Sequence, residues 1–284
     1  MLRLLELEFI KLWNNRASKV LIISYFILIL CMALIAAIKF DIGPVQFHVA
    51  DQGIFNFPYI WHLNTWIASG LKLFFAIVIV SMMANEYSNK TIKQNLIDGL
   101  SKKEFIASKF LTVLVFSAVS TVFVFLVSLV LGLIYSDYTE PSIIFSDLEY
   151  LLAYFVKLVG FFSFCLFLGI LIKRSAFALG FLIIWFAIEN LVIRFLVWWL
   201  AGKAGFFLGD NFSDTFMKFL PLESMSNLIK EPVTRFNAVQ SVVAQMGEDI
   251  NKDYSVHVHE ILIVGCWTAL FIYLSYALLK KRDL

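Results

Sequence analysis

Four ionisable side chains, Lys72, Lys157, Glu189 and Arg194, stand inside otherwise apolar runs. Near the centre of a membrane helix such a group costs on the order of 3 kcal/mol, so each needs a physical account. Two kinds of chemistry are open to them: ion pairing within the protein, or a polar patch along a transport path. Lys72 and Lys157 lie about seven residues from the outer ends of their runs and Arg194 about six, roughly 10 Å at the helical rise. Stems of that length can carry the charged heads to the interface. Glu189 lies near mid-run with Asn190 beside it. Its stem is too short for that escape, so it is protonated, paired or turned to a wet cavity. Its depth matches that of Lys157. This predicts a Glu189–Lys157 pair between the fifth and fourth spans, with Lys72 as the other candidate partner. A structural ion pair and a transport-path patch both fit.

Other reactive groups are sparse. His48, His62, His257 and His259 are expected outside the spans, where a membrane haem would have no axial ligands. His257 and His259 lack the acidic or thiol company of a metal site. Cys31, Cys165 and Cys266 fall in three different apolar runs without CxxC spacing, and read as small apolar side chains. No metal or cofactor is expected. Neither G-x-x-x-x-G-K-[ST] nor H-E-x-x-H occurs, so the chain has no nucleotide-phosphate cradle and no zincin motif of its own.

The elements that hold these residues are set by composition. Of 284 residues 61% are hydrophobic and 15% charged, and mean hydropathy is +0.84. Those values belong to an integral membrane protein. A net charge of +2 gives no reason to invoke nucleic acid. The expected fold is all-α, with six transmembrane helices near 20–38, 66–84, 110–135, 150–172, 176–200 and 261–279. Residues 1–19 read as an interfacial helix, with Leu2, Leu5, Phe9, Ile10, Leu12 and Trp13 on one broad face and Glu6 at its edge. Segment 201–258 reads as extracytoplasmic, with two short helices broken at Pro221 that lie on or re-enter the outer leaflet. The whole chain, 1–284, is read as one membrane domain.

Lys and Arg number four in 1–19, five in 85–109, two at 173–174 and three at 280–282, against Lys39 alone in the two short opposite loops. The positive-inside rule then puts both termini in the cytoplasm, together with the polar island 85–109. Within the island Ile92, Leu96 and Leu100 recur every four residues, bounded by Asn89 and Gly99. This predicts a short amphipathic helix, either interfacial or docked in a partner's groove.

Glu86, then Thr91-Ile92-Lys93, Leu96, Gly99, Ser101-Lys102 and Lys109 resembles the coupling loop of ABC-2 type transporter permeases. In that family spans two and three are joined by an acidic residue, a Gly-Thr-Ile segment, a Leu, Gly-x-Ser-(Arg/Lys) and a later Lys. Lys90 stands where the family usually has Gly, which would loosen the turn into the short helix. The resemblance implies a cytoplasmic coupling helix and a second permease copy or paralogue. It also implies two ATP-binding subunits, which would bind ATP and dock on Thr91, Ile92, Lys93, Leu96, Gly99 and Ser101, with Glu86 as acidic anchor. The implied function is a permease subunit, not itself an enzyme. It would move a hydrophobic or amphipathic substrate, most simply outward, across the cytoplasmic (inner) membrane. Its lipid surroundings enter as a further partner. A non-transporting membrane anchor and a subunit of a membrane enzyme are the competing classes.

Overall fold

The computed structural model describes residues 2–36, 39–42, 45–48, 54–138, 140–203, 212–235 and 253–282. It starts with α1 (Leu2–Asn14) and α2 (Arg16–Ala36), which meet at 92°. Asn15 makes the corner: its Oδ1 accepts from the backbone N–H of Ala17 (3.0 Å) and Ser18 (3.4 Å) and so caps α2. Leu7, Ile10 and Trp13 of α1 are exposed, whereas Glu8 and Leu12 are buried. A small antiparallel hairpin follows, β1 (Lys39–Ile42) with β2 (Val45–His48), where a plain loop was expected.

The second apolar stretch is a bent pair of helices. α3 (Tyr59–Gly70) and α4 (Leu73–Ser88) bend by 43° where they meet, about Lys72. The helix begins earlier than the Trp66 expected from hydropathy, because Ile60, Trp61 and Leu63 all pack into the core. Trp61 and His62 are therefore helical and buried. The Trp61 indole N–H donates to the Ile144 carbonyl at 2.8 Å, and His62 stacks on Tyr150 with ring centroids 4.2 Å apart.

After the short α5 (Thr91–Ile97), α6 (Lys102–Tyr135) runs for 34 residues. That is about 50 Å of rigid helix at 1.5 Å per residue, against a hydrocarbon core of about 30 Å. Its first turns thus project beyond the apolar layer. α7 (Pro141–Ile144) is one turn, and α8 (Glu149–Ile172) is the central helix. Glycines let it pack closely. A Cβ on Gly160 would sit 2.7 Å from Val264, and one on Gly169 would sit 2.9 Å from the Met83 Cβ, as expected where membrane helices approach backbone to backbone. Tyr25, Ser120 and Tyr154 close a buried ring of hydroxyls between α2, α6 and α8. The two phenols are 2.7 Å apart and Ser120 lies 2.9 Å from Tyr154.

The fifth span has α9 (Ser175–Ala187), a π-helical turn at Ile188–Ile193, and α10 (Arg194–Lys203). Then come α11 (Phe212–Met217), α12 (Pro221–Asn227), a 3₁₀ turn at Val233–Arg235, and α13 (Val258–Lys281). The remainder of the polar section, 204–211 and 236–252, lies outside the described residues. Among the described residues four helices are long and apolar enough to cross a membrane, or six if each bent pair counts as one span. The molecule is a predominantly helical, multi-pass membrane protein.

Candidate functional site

The polar island is folded tightly between α4 and α6. α4 stops at Ser88, and Lys90 then takes a left-handed conformation (φ 55°, ψ 20°) as the cap of α5. The turn that Lys was expected to loosen is made all the same, at a cost of about 1–2 kcal/mol for a side chain in that region. Gly99 (φ 95°) ends the element in a conformation suited to glycine. Ser101 then opens α6. Its hydroxyl accepts from Glu104 N (3.2 Å) while the Glu104 carboxylate accepts from Ser101 N (3.0 Å), a capping box written in the sequence as Ser-Lys-Lys-Glu. Ser101 thus has a structural task of its own.

Behind this helix sits a network of four charges. The fully buried Lys109 ammonium donates to Glu86 at 2.6 Å and to Glu8 at 2.5 Å. Lys11 reaches the same two carboxylates, at 3.0 Å and 3.2 Å, from a more exposed position. Burial disfavours the Lys11 ammonium, but Glu8 and Glu86 outweigh that and hold its pKa above the ordinary lysine value. The Thr91 hydroxyl donates to the Glu86 carboxylate and to the Glu86 carbonyl. Helices α1, α4, α5 and α6 are therefore tied together at one point. Two carboxylates and two ammoniums cancel, which is how such charges are tolerated out of water. Glu8 had escaped notice, although it stands four residues before Leu12 on the buried side of α1.

The face that α5 turns outward differs from expectation. Ile92 is buried in the core, and Leu96 and Leu100 pack against it, so this ridge holds α5 to the bundle. Ile92, 2% exposed, is turned into the bundle and away from any partner, whereas Leu96 is only half-buried. Lys93, Gln94, Ile97, Asp98 and Gly99 face outward, and Ile97 is 75% exposed.

Other basic segments converge on this end. Arg282 donates to the Tyr87 hydroxyl (2.9 Å) and to the Ile170 and Leu171 carbonyls (2.5 and 3.0 Å). Lys173 lies 5.6 Å from the centre of the Tyr87 ring. Lys102 donates to the Arg282 carbonyl at 2.9 Å.

Toward the other end, Glu189 and Lys157 do not form the expected pair. Glu189 is buried in the π-helical turn and accepts from the Trp185 indole (2.6 Å) and from the backbone N–H of Leu222 (3.0 Å) and Glu223 (3.1 Å). Lys157 is also buried and points to the Ser226 carbonyl at 3.5 Å. Both thus engage α12 at opposite ends, the carboxylate at its free N–H groups and the ammonium at its last carbonyls, as the peptide dipoles favour. Lys72 places its ammonium 4.6 Å from the centre of the Phe161 ring. Arg194 pairs with Glu223 at 3.0 Å. Partners inside the protein, rather than escape to the interface, account for Lys72 and Lys157. Among the described residues no group of three or more His, Cys, Asp or Glu could hold a metal ion.

No curated protein matches this chain. Residues 25–284 match a family described as a protein of unknown function (DUF2705), and the chain belongs to that family.

Proposed function

We propose that this chain is the permease subunit of an ABC transporter, driven by ATP hydrolysis in separate subunits that dock at the island. One observation carries the reading. A seven-residue helix, Thr91–Ile97, is fixed to the membrane bundle by Ile92 and the Glu86–Thr91 contact, and turns Lys93, Gln94, Ile97 and Asp98 outward. A short rigid helix with one exposed apolar side chain among polar ones suits a groove on a soluble partner. The charge network behind it would pass a push on α5 to α1, α4 and α6 as one body.

In this reading the basic-rich end bearing Arg282, Lys173 and Lys102 is cytoplasmic, both termini lie on that side, and the membrane is the cytoplasmic one. Two ATPase subunits and a second permease, a copy or a paralogue, complete the transporter. Nucleotide is held by the partner and none by this chain. The apolar spans favour a hydrophobic or amphipathic cargo moved outward.

The test is affinity capture of the tagged full chain from its native membrane, with identification of the ATPase that co-purifies. Ile97→Asp combined with Lys93→Glu should lower the captured ATPase about tenfold or more, as expected when a central anchor is lost. Thermal stability of the tagged chain should stay unchanged. Undiminished capture, or absence of any protein with a nucleotide-binding motif from the wild-type eluate, would overturn the proposal.

A further inference from the structure

An apolar cavity of about 130 Å³ lies in the right-angled corner between α1, α2 and α6, lined by Phe9, Trp13, Ile22, Phe26, Phe116 and Val119 among others. Its size is close to that of an engineered cavity of about 150 Å³ that stays dry and takes up benzene. The corner is open to the outside, since Trp13 and Val119 are both about half exposed. One cationic group stands beside a lining ring, and a second lies three residues before it. The Lys19 ammonium lies 4.7 Å from the centre of the Trp13 ring, and Arg16 is exposed at the start of α2. Glu8 stands one turn before the cavity-lining Leu12, but its carboxylate is bonded to Lys109 and Lys11.

We infer that this corner binds one anionic phospholipid of the surrounding bilayer. Because α1 meets α2 at 92°, α1 lies along the membrane surface when α2 crosses it. The cavity then opens at the level where headgroups give way to chains. A stretch of a few methylenes of one acyl chain enters between Phe9, Phe26 and Phe116, where nothing polar competes. The phosphate rests on Lys19 and Arg16, with Trp13 as the amphipathic ring at the boundary. The cavity supplies the fit and the cations supply the choice of headgroup. A lipid held there would wedge α1 against α2 and α6, about a turn or two of helix from the charge network.

The test uses the full chain, stripped of lipid in detergent and titrated with dioleoyl-phosphatidylglycerol or dioleoyl-phosphatidylcholine, with bound lipid counted by native mass spectrometry. Wild type should bind phosphatidylglycerol about tenfold more tightly than phosphatidylcholine. Val119→Trp, which fills the cavity from a half-exposed position, should weaken both lipids. Arg16→Gln with Lys19→Gln should abolish the preference, weakening phosphatidylglycerol binding about tenfold more than phosphatidylcholine binding. Equal binding of the two lipids by wild type, or undiminished phosphatidylglycerol binding by Val119→Trp, overturns the inference. If Val119→Trp does not fold, the charge variant decides alone: a preference that survives it sinks the site. Lipid retention and ATPase capture are separate readouts, and either can fail without the other.

Discussion

Lys109 and Lys11 touch the same two carboxylates, yet they should behave very differently when removed. Lys109 is fully buried, so Lys109→Met leaves Glu8 and Glu86 close together with only a half-exposed ammonium beside them. A loss of about 3–5 kcal/mol is expected, as for any buried pair broken from one side. Lys11→Ala should cost less, about 1–2 kcal/mol, because its ammonium is half exposed and Lys109 still touches both buried carboxylates. Thermal unfolding of the two purified variants in the same detergent checks this; equal losses would mean that the network is not organised around Lys109. Glu86 and Lys109 stood out in the sequence only as parts of the coupling-loop-like pattern, which does not pair them. Glu8 did not stand out at all. On a helical wheel a carboxylate at the margin of an amphipathic face looks solvated, and only the fold brings Lys109 against it. Glu189 shows the opposite limit. Hydropathy gives the depth of a buried charge but not the direction in which it points, and its partners proved to be the Trp185 indole one turn earlier and two backbone N–H groups that no side-chain pattern reveals.

At the scale of elements, α12 is the part most exposed to experiment. Its N-terminal N–H groups rest on Glu189, and Met225 packs beside Gly160 on α8. Glu189→Leu would leave two buried donors without an acceptor, at a cost of about 1–3 kcal/mol each. α12 should then leave the bundle before the long helices do. A cysteine placed at Ser226, in a background with Cys31, Cys165 and Cys266 changed to Ala, should react with a soluble maleimide about tenfold faster in that variant than with Glu189 intact, since tenfold needs about 1.4 kcal/mol, less than the combined cost. Equal rates would show that Glu189 does not hold α12. Element existence was well signalled by hydropathy, since all six expected apolar stretches contain helix. Their interruptions were less visible. The bend between Gly70 and Leu73 and the π-helical turn at Ile188–Ile193 interrupt runs that read as continuous, because apolar residues on either side hide a change in backbone geometry. Pro221, by contrast, announced its helix start correctly.

For the whole molecule, the consequence to check is sidedness. Lys103 belongs to the end where Tyr87, Lys173 and Arg282 gather, whereas Tyr138 and Asp253 belong to the other. In sealed right-side-out vesicles, in the same cysteine-free background, an impermeant maleimide should label cysteines at Tyr138 and Asp253. A cysteine at Lys103 should remain dark until the vesicles are opened. Labelling of all three positions from one side would contradict both the spanning bundle and the proposed docking of a cytoplasmic ATPase. The count of basic residues carried this much of the architecture, because four separate segments rich in Lys and Arg are brought to one end. The packing of α8 at the centre was not legible, since every span is apolar enough to have faced lipid.

The charge network also bears on how such a chain can change over generations. Its two acids and two bases cancel, and one base is sealed away, so positions 8, 86 and 109 are not free to drift one at a time. A descendant that loses the cation at 109 is stable only if it has first shed a carboxylate at 8 or 86, or sheds one soon after. Among members of the family the three positions should therefore vary as a set, with two acids retained only where a base faces them. The path between one such set and another runs through a weakened intermediate, which makes the corner of α1, α4 and α6 slow to change.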